Sequence, residues 1–320
     1  MCDLGLVAPC RAAFMEGVMK IWKAAALAVF ALAGCGENSS RPSPPAATDA
    51  APKPAIWKVA DVGTTVYLFG TVHVLPPTLT WHSPAVDKAL NEANAVYFET
   101  DTDVDPEVFR EILQRLGMYD PAERLSDRLS KQDFERLKAA LIKLDLPLVA
   151  VESMRPWYAG IVISEAVVRR AGYDVSSGVE SVLRPAAQGA GKDIRFLETL
   201  EEQLAAFATL AEEIQVRFLI SGLAEIDGAG KELGDLINAW KSGDVDALNQ
   251  LLIVDDLDAI PELYNALLKH RNANWAPEID KLMKSETGTF LVAVGAAHLV
   301  GKDSVLEMLK PMGYTAERVQ

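Results

Sequence analysis

The chain has 320 residues, with 31 Lys and Arg against 45 Asp and Glu, a formal net charge of −14 and 50% hydrophobic residues. That balance suits one large domain or two small ones with a sizeable core. It excludes nucleic acid as a partner, because phosphate binding needs clustered Lys and Arg, and it argues against a basic patch docking on anionic lipid.

The three cysteines, Cys2, Cys10 and Cys35, all precede residue 36. The globular part therefore has no disulfide, cysteine nucleophile or thiolate zinc site. Residues 1–18 read as a doubtful N-terminal extension, with Met19 as a start. Residues 19–34 have the layout of a signal peptide. Lys20 and Lys23 precede the apolar run Ala24–Ala33, which is too short to span a bilayer of about 30 Å. Leu32-Ala33-Gly34-Cys35 resembles a bacterial lipobox, so Cys35 is the expected site of lipidation. The alternative is a plain signal peptide with an incidental cysteine. Gly36 after the cysteine points, by analogy with lipoprotein sorting, to the outer membrane, facing the periplasm. Residues 35–55 are rich in Ser, Pro and Ala and read as an extended tether.

The globular part, 56–320, opens with a hairpin. Trp57–Val59 and Thr65–Phe69 flank a turn at Asp61-Val62-Gly63. Ser83 caps a helix with Pro84 at its first position, running to about Ala93. Ala95–Phe98 is a buried strand ending on Glu99. Ser130 caps a helix through Lys143, and another spans 156–171. A short strand, 194–197, ends on Glu198. Residues 200–285 read as helical, with breaks near Gly228, Gly243 and Pro261. Thr289–Val294 is a buried strand, 302–310 a helix and 314–319 a closing strand. Short apolar strands between helices predict an α/β (α+β) fold: a central mixed, partly parallel sheet with an inserted helical subdomain.

One pattern occurs twice. Gly70-Thr71-Val72-His73 and Gly295-Ala296-Ala297-His298 each follow an apolar strand, and together they use two of only four histidines. Ligands in open α/β sheets bind beyond the carboxyl ends of strands, where a glycine such as Gly70 or Gly295 lets the backbone turn sharply and a ligand approach it. Two satisfied core histidines are the plainer explanation. Glu99 is the natural third member. It can complete a His/His/Glu set for a divalent ion or act as a general base, or simply begin a solvated acidic loop. Glu180 and Glu198 are weaker candidates for orienting a histidine N–H. Arg271 and Trp275 share a helix face. Arg271 can clamp a carboxylate or lie as a surface charge over the indole. His82 and His270 read as surface residues, and Trp157 as core.

From Ile56 to Val319 the chain resembles the TraB/GumN family, which includes the Tiki metalloproteases. The resemblance is carried by Tyr67-Leu68-Phe69-Gly70-Thr71-Val72-His73-Val74-Leu75-Pro76-Pro77, Arg155-Pro156-Trp157 and Gly178-Val179-Glu180. It continues through Leu197-Glu198-Thr199, Pro261-Glu262-Leu263-Tyr264 with Arg271-Asn272, and Val292-Ala293-Val294-Gly295-Ala296-Ala297-His298-Leu299. It implies a metal-dependent, peptidase-like site in which His73, His298 and Glu99 hold a divalent ion, Mn²⁺ or Co²⁺, with Arg271 and Asn272 in the pocket. The family is functionally mixed. The expected function is hydrolysis of a peptide or related amide in the cell envelope, on a peptide or small-molecule substrate, by a domain held at the membrane through its lipid anchor. The alternative is a non-catalytic envelope lipoprotein that binds a peptide, a metal or haem.

Overall fold

The computed structural model describes residues 51–320, apart from Glu225 and Asp256. The signal peptide, Cys35 and most of the tether lie outside the described residues. The strands are β1 (Ile56–Ala60), β2 (Thr64–Thr71), β3 (Ala95–Phe98), β4 (Asp193–Phe196), β5 (Gly288–Gly295) and β6 (Glu317–Arg318). The helices before β4 are α1 (Pro84–Glu92), α2 (Pro106–Leu116), α3 (Lys131–Lys143), α4 (Pro156–Arg170) and α5 (Val179–Gly189). Those after it are α6 (Leu200–Ala208), α7 (Glu212–Leu223), α8 (Ala229–Ser242), α9 (Val245–Asn249), α10 (Pro261–Tyr264), α11 (His270–Ser285) and α12 (Val305–Leu309).

The six strands form one mixed sheet in the order β4-β3-β5-β2-β1-β6. β4, β3, β5 and β2 are mutually parallel, and β1 pairs antiparallel with both β2 and β6. β2, β3 and β5 carry largely apolar, buried runs because helices cover both of their faces, whereas the edge strand β4 includes Asp193 and Arg195 and is not fully buried. Alternation along each strand then splits the core in two. Tyr67, Phe69, Leu291 and Ala293 face a large cluster with Trp157, Phe207, Phe218 and Trp240. Val66, Leu68, Phe290, Val292 and Val294 face Trp275, Ile279 and Leu309.

Local signals set the boundaries. Asp61 Oδ1 accepts from the N–H groups of Gly63 and Thr64 and closes the hairpin. Ser83 and Ser130 cap α1 and α3 as their sequences predict. The helical stretch between β4 and β5 breaks at Gly243, which takes a left-handed φ of 72°, resumes at Val245 and opens anew at Pro261.

Two expectations need correction. The closing strand shrinks to two residues, Glu317 and Arg318, at the sheet edge. The last helix begins at Val305 rather than Lys302, because Asp303 is engaged elsewhere: its carbonyl accepts from Asn272 Nδ2 at 2.8 Å and its carboxylate from Tyr264 at 2.7 Å. Within the helical region, π turns at Gln250–Val254 and Asn265–Lys269 were not legible in the sequence.

Candidate active site

Because β2, β3, β4 and β5 run parallel, their carboxyl ends lie along one edge of the sheet. His73 follows β2, Glu99 follows β3, Glu198 follows β4 and His298 follows β5, so four residues far apart in sequence share that edge. Close backbone packing sharpens the arrangement. The register places Thr71 opposite Gly295. A Cβ on Gly70 would stand 3.2 Å from Ala296 Cα, so the bare glycine lets the two strand ends approach. A Cβ on Gly178 would fall 2.1 Å from the His73 carbonyl oxygen, which no side chain tolerates. Val179 N–H also donates to Val72 O at 3.0 Å. The start of α5 is thus pinned against the chain around His73, and Glu180 is placed beside the imidazole.

His73 Nδ1 lies 2.9 Å from Glu180 Oε1, and the Thr71 hydroxyl donates to the same oxygen. Burial pulls the imidazole towards its neutral form. The Glu180 charge and hydrogen bond, helped by Glu99, more than offset this and raise its pKa above the ordinary value. Its Nε2 has no hydrogen-bond partner among the described residues. His73, Glu99, Thr100, Glu180, Arg184 and Gln203 line one cavity of about 380 Å³.

Glu99 and His298 sit deeper and are both buried. Glu99 Oε1 accepts from the Gly295 N–H at 2.7 Å, and Oε2 accepts from Gln203 Nε2 at 3.1 Å and Arg271 Nη2 at 2.6 Å. Burial disfavours the carboxylate, but Arg271, the two histidines and the Gly295 N–H outweigh it and hold its pKa at about 2. His298 Nδ1 lies 2.6 Å from Asn272 Oδ1, and its Nε2 faces Arg271 Nη1 at 3.1 Å. Since Asn272 Oδ1 and Arg271 can only accept and donate respectively, the ring is the neutral Nδ1–H tautomer. Burial, with Arg271 and His73 added against the opposing charge of Glu99, holds its pKa at about 3.

Arg271 is the hub. Its Nε donates to both oxygens of Glu198 at 3.0 and 3.1 Å, and its Nη2 donates to Glu198 Oε1 at 2.6 Å. Nη1 also reaches Leu267 O at 3.2 Å, and the guanidinium lies 4.7 Å over the Trp275 ring. The Trp275 indole N–H donates to Glu198 at 3.2 Å. Burial pushes the Glu198 carboxyl above its ordinary pKa although Arg271 opposes it.

The structure thus unites Glu99, Arg271, Asn272, His298 and Glu198 in one network and sets His73 with Glu180 at the adjoining cavity. Glu180 does orient a histidine, whereas Glu198 holds Arg271 instead. Arg271 is neither a surface charge nor a free substrate clamp, since every N–H group on it is engaged. Asn272 touches His298 and Asp303, so it positions the imidazole. His82 and His270 are exposed, and Trp157 is core. Gln203 and Thr100 escaped the sequence reading. Thr100 Oγ1 is buried at the cavity without a hydrogen-bond partner among the described residues.

The donor types suit a divalent ion, but their arrangement does not. Among the described residues no group of three or more His, Cys, Asp or Glu is placed to hold a metal. The reason is Arg271. It occupies Glu99 Oε2 and faces His298 Nε2, so a cation between Glu99 and His298, whose Nε2 and Oε1 are 3.8 Å apart, would stand against a fixed positive charge.

The mixed sheet, covered by helices on both faces, is of the open α/β class, in which ligands bind beyond the carboxyl ends of the parallel strands. Residues 55–318 match the model of the TraB/PrgY/gumN family, and the chain belongs to that family. It is 24% identical over 258 residues to Escherichia coli YbaP, described as uncharacterized, covering 76% of this chain and 87% of that protein. It is 26% identical over 310 residues to the metalloprotease TIKI2 of Danio rerio, covering 78% of this chain and 58% of the relative. It is likewise 26% identical to the metalloprotease TIKI1 of Homo sapiens, covering 78% of this chain and 59% of the relative. The chain therefore spans somewhat over half the length of these Tiki relatives. No solved structure matches it significantly.

Proposed function

We propose that the chain is a hydrolase of peptide or related amide bonds. The observation that carries the reading is the His73–Glu180 pair at the cavity beside the buried Glu99; relatives named metalloproteases supply the reaction class. They also bring in a divalent ion, Mn²⁺ or Co²⁺ from the family resemblance. The side chains as placed do not accommodate one, so proton handling rests on the chain's own residues.

His73 is the base. With Nδ1–H held by Glu180, its Nε2 can take the proton of a water attacking the scissile carbonyl, and Glu180 stabilises the imidazolium that forms. The same proton then passes to the departing amine nitrogen. Thr100 Oγ1 is the free hydroxyl able to donate to the carbonyl oxygen as charge develops on it. Glu99, fixed in its ionised form, favours the protonated His73 through space.

The full-length chain should cleave a mixture of unstructured peptides, and His73→Ala should abolish cleavage. Full activity in His73→Ala would sink the proposal. We also place the domain at the outer membrane through Cys35. Palmitate labelling in cells should be lost in Cys35→Ser, and equal labelling of both chains would refute the anchor.

A further inference from the structure

We propose that Arg184 determines specificity in the cavity at His73, by binding a substrate carboxylate that lies about one residue from the bond that is cut. The proposal deepens the hydrolase reading and rests on its placing of the reacting centre at His73. Its test reads binding apart from cleavage, so the two fail separately.

One face of α5 forms a wall of the cavity. Glu180, Arg184 and Gln188 recur every four residues and share that face, with Ser181 and Pro185 beside them. The rise from Glu180 to Gln188 is about 12 Å, the length of roughly three to four residues of extended chain. The segment leaving β3, from Phe98 to Asp103, also lines the cavity. His73 and Glu180 mark one end, and Gln188 lies two helical turns further on. An extended peptide reacting at His73 therefore passes Arg184 at about 6 Å of helix rise beyond Glu180. A charged group on the residue next to the scissile carbonyl spans that gap.

Arg184 is the one Lys or Arg among the described residues that line the cavity. Its side chain is 17% exposed, and its guanidinium stands 5.3 Å from the centre of the Phe196 ring. Among the described residues it has one hydrogen-bond acceptor: Nη2 donates to Asp101 Oδ1 at 2.8 Å, while Asp103 Oδ2 stands off at 3.9 Å. Both carboxylates belong to the loop after β3 and are themselves 39% and 85% exposed. Ion pairs that exposed are weak. A guanidinium has five N–H donors, so an edge of the fork remains for a second carboxylate. Arg271, which pairs with both Glu99 and Glu198, shows one guanidinium of this molecule doing so. A cationic ligand finds less, because Glu99 is held by Arg271, and Glu180 by His73 and Thr71.

The test uses the full-length chain carrying His73→Ala, which removes turnover. The probes are acetyl-Ala-Ala-Glu-Ala-amide, its Gln and Lys counterparts, and the Gln peptide with a free C-terminal carboxylate. Isothermal titration calorimetry reads the binding. At least one carboxylate peptide should bind roughly tenfold more tightly than the neutral Gln amide, as one charge-assisted hydrogen bond at a partly exposed site gives. Which peptide does so tells an acidic side chain from a C-terminus. Adding Arg184→Gln should erase the preference. Arg184→Lys should keep part of it, since the charge stays while the fork is lost, and salt at about 1 M should shrink it. Equal affinity for all the peptides, a preference that survives Arg184→Gln, or no binding by any chain would overturn the proposal. So would tighter binding of the Lys peptide, whose ammonium would then answer the unpartnered Glu180 Oε2. Should Arg184→Gln fail to fold, Arg184→Lys and the salt series decide, and a preference indifferent to both would overturn it. Cleavage by the native chain separates the two readings. Cuts with no enrichment of acidic residues or chain ends beside them defeat the specificity alone. A carboxylate preference in binding without any cleavage defeats the hydrolase alone.

Discussion

Replacing Arg271 with methionine gives the sharpest test of the buried network. The side chain is 5% exposed and is ion-paired to Glu99 and Glu198, whose side chains are 7% and 8% exposed. Methionine keeps much of the volume over Trp275 but leaves two buried carboxylates without a cation. Breaking a buried pair by removing one partner costs about 3–5 kcal/mol, because the remaining charge is stranded in a poor solvent for it. Here two charges are stranded on one guanidinium's removal, so about 4 kcal/mol is a conservative expectation, or roughly 10 °C in Tm for a domain of this size. Urea unfolding followed by circular dichroism measures it. The pH dependence gives a second signature. In the variant both carboxyl pKa values rise, so the folded state binds protons more readily than the unfolded chain, and stability should recover as pH falls from 8 towards 5. The combination Glu99→Gln, Arg271→Met, Glu198→Gln should regain most of the loss. A loss below about 1 kcal/mol, with no change in pH dependence, would refute the claim that this is a tightly coupled buried cluster.

Acid should destabilise the native chain in two stages. Glu99 is held at about 2 against an ordinary 4.5, so its contribution is complete above 4.5 and is lost as pH falls from there towards 2. His298 is held at about 3 against 6.5, so the unfolded chain takes up a proton first, and stability falls from pH 6.5 towards 3. His298→Asn should flatten the fall between 6.5 and 4.5 in urea midpoints, and an unchanged slope would contradict the buried neutral imidazole. His73 acts oppositely: its raised pKa adds stability below 6.5 that is lost as pH rises through the folded value. Gly178→Ala should cost about 3 kcal/mol through backbone overlap with His73 and should lower hydrolysis, as thermal melts and peptide assays would show. Trp240→Phe strands the buried Gly70 carbonyl, which accepts the indole N–H at 2.7 Å. It should cost about 2 kcal/mol in urea titrations, and a neutral result would mean that water replaces the indole.

Much of the site was legible because the parallel sheet brings strand ends together. The paired Gly-x-x-His segments mark the ends of β2 and β5, and the abrupt turn from Val96-Tyr97-Phe98 to Glu99 marks the end of β3. Glu198 was visible for the same reason, although its partner was not. Gln203 and Thr100 gave no signal, since a glutamine inside α6 and a threonine before an acidic loop look ordinary until the fold places them at a cavity. The π turn at Asn265–Lys269 was equally hidden. It directly precedes α11, which carries Arg271, and no local propensity marks it.

The counts of histidine and cysteine set the limits at the outset. With no cysteine after residue 35 the globular part cannot use a thiolate, and four histidines in all leave few imidazoles to choose from. Apolar runs and caps determined the strands, the helices and the α/β class, because these depend on neighbours within a few residues. Pairing was settled only by the tertiary structure. It set Glu180 on His73, Asn272 on His298, and Arg271 on Glu99 and Glu198 across 172 and 73 residues of chain. Such contacts arise from where whole elements pack, and burial then fixes which groups stay charged. For that reason the sequence could nominate the metal-ligand types, while the packing sets one arginine against both Glu99 and His298.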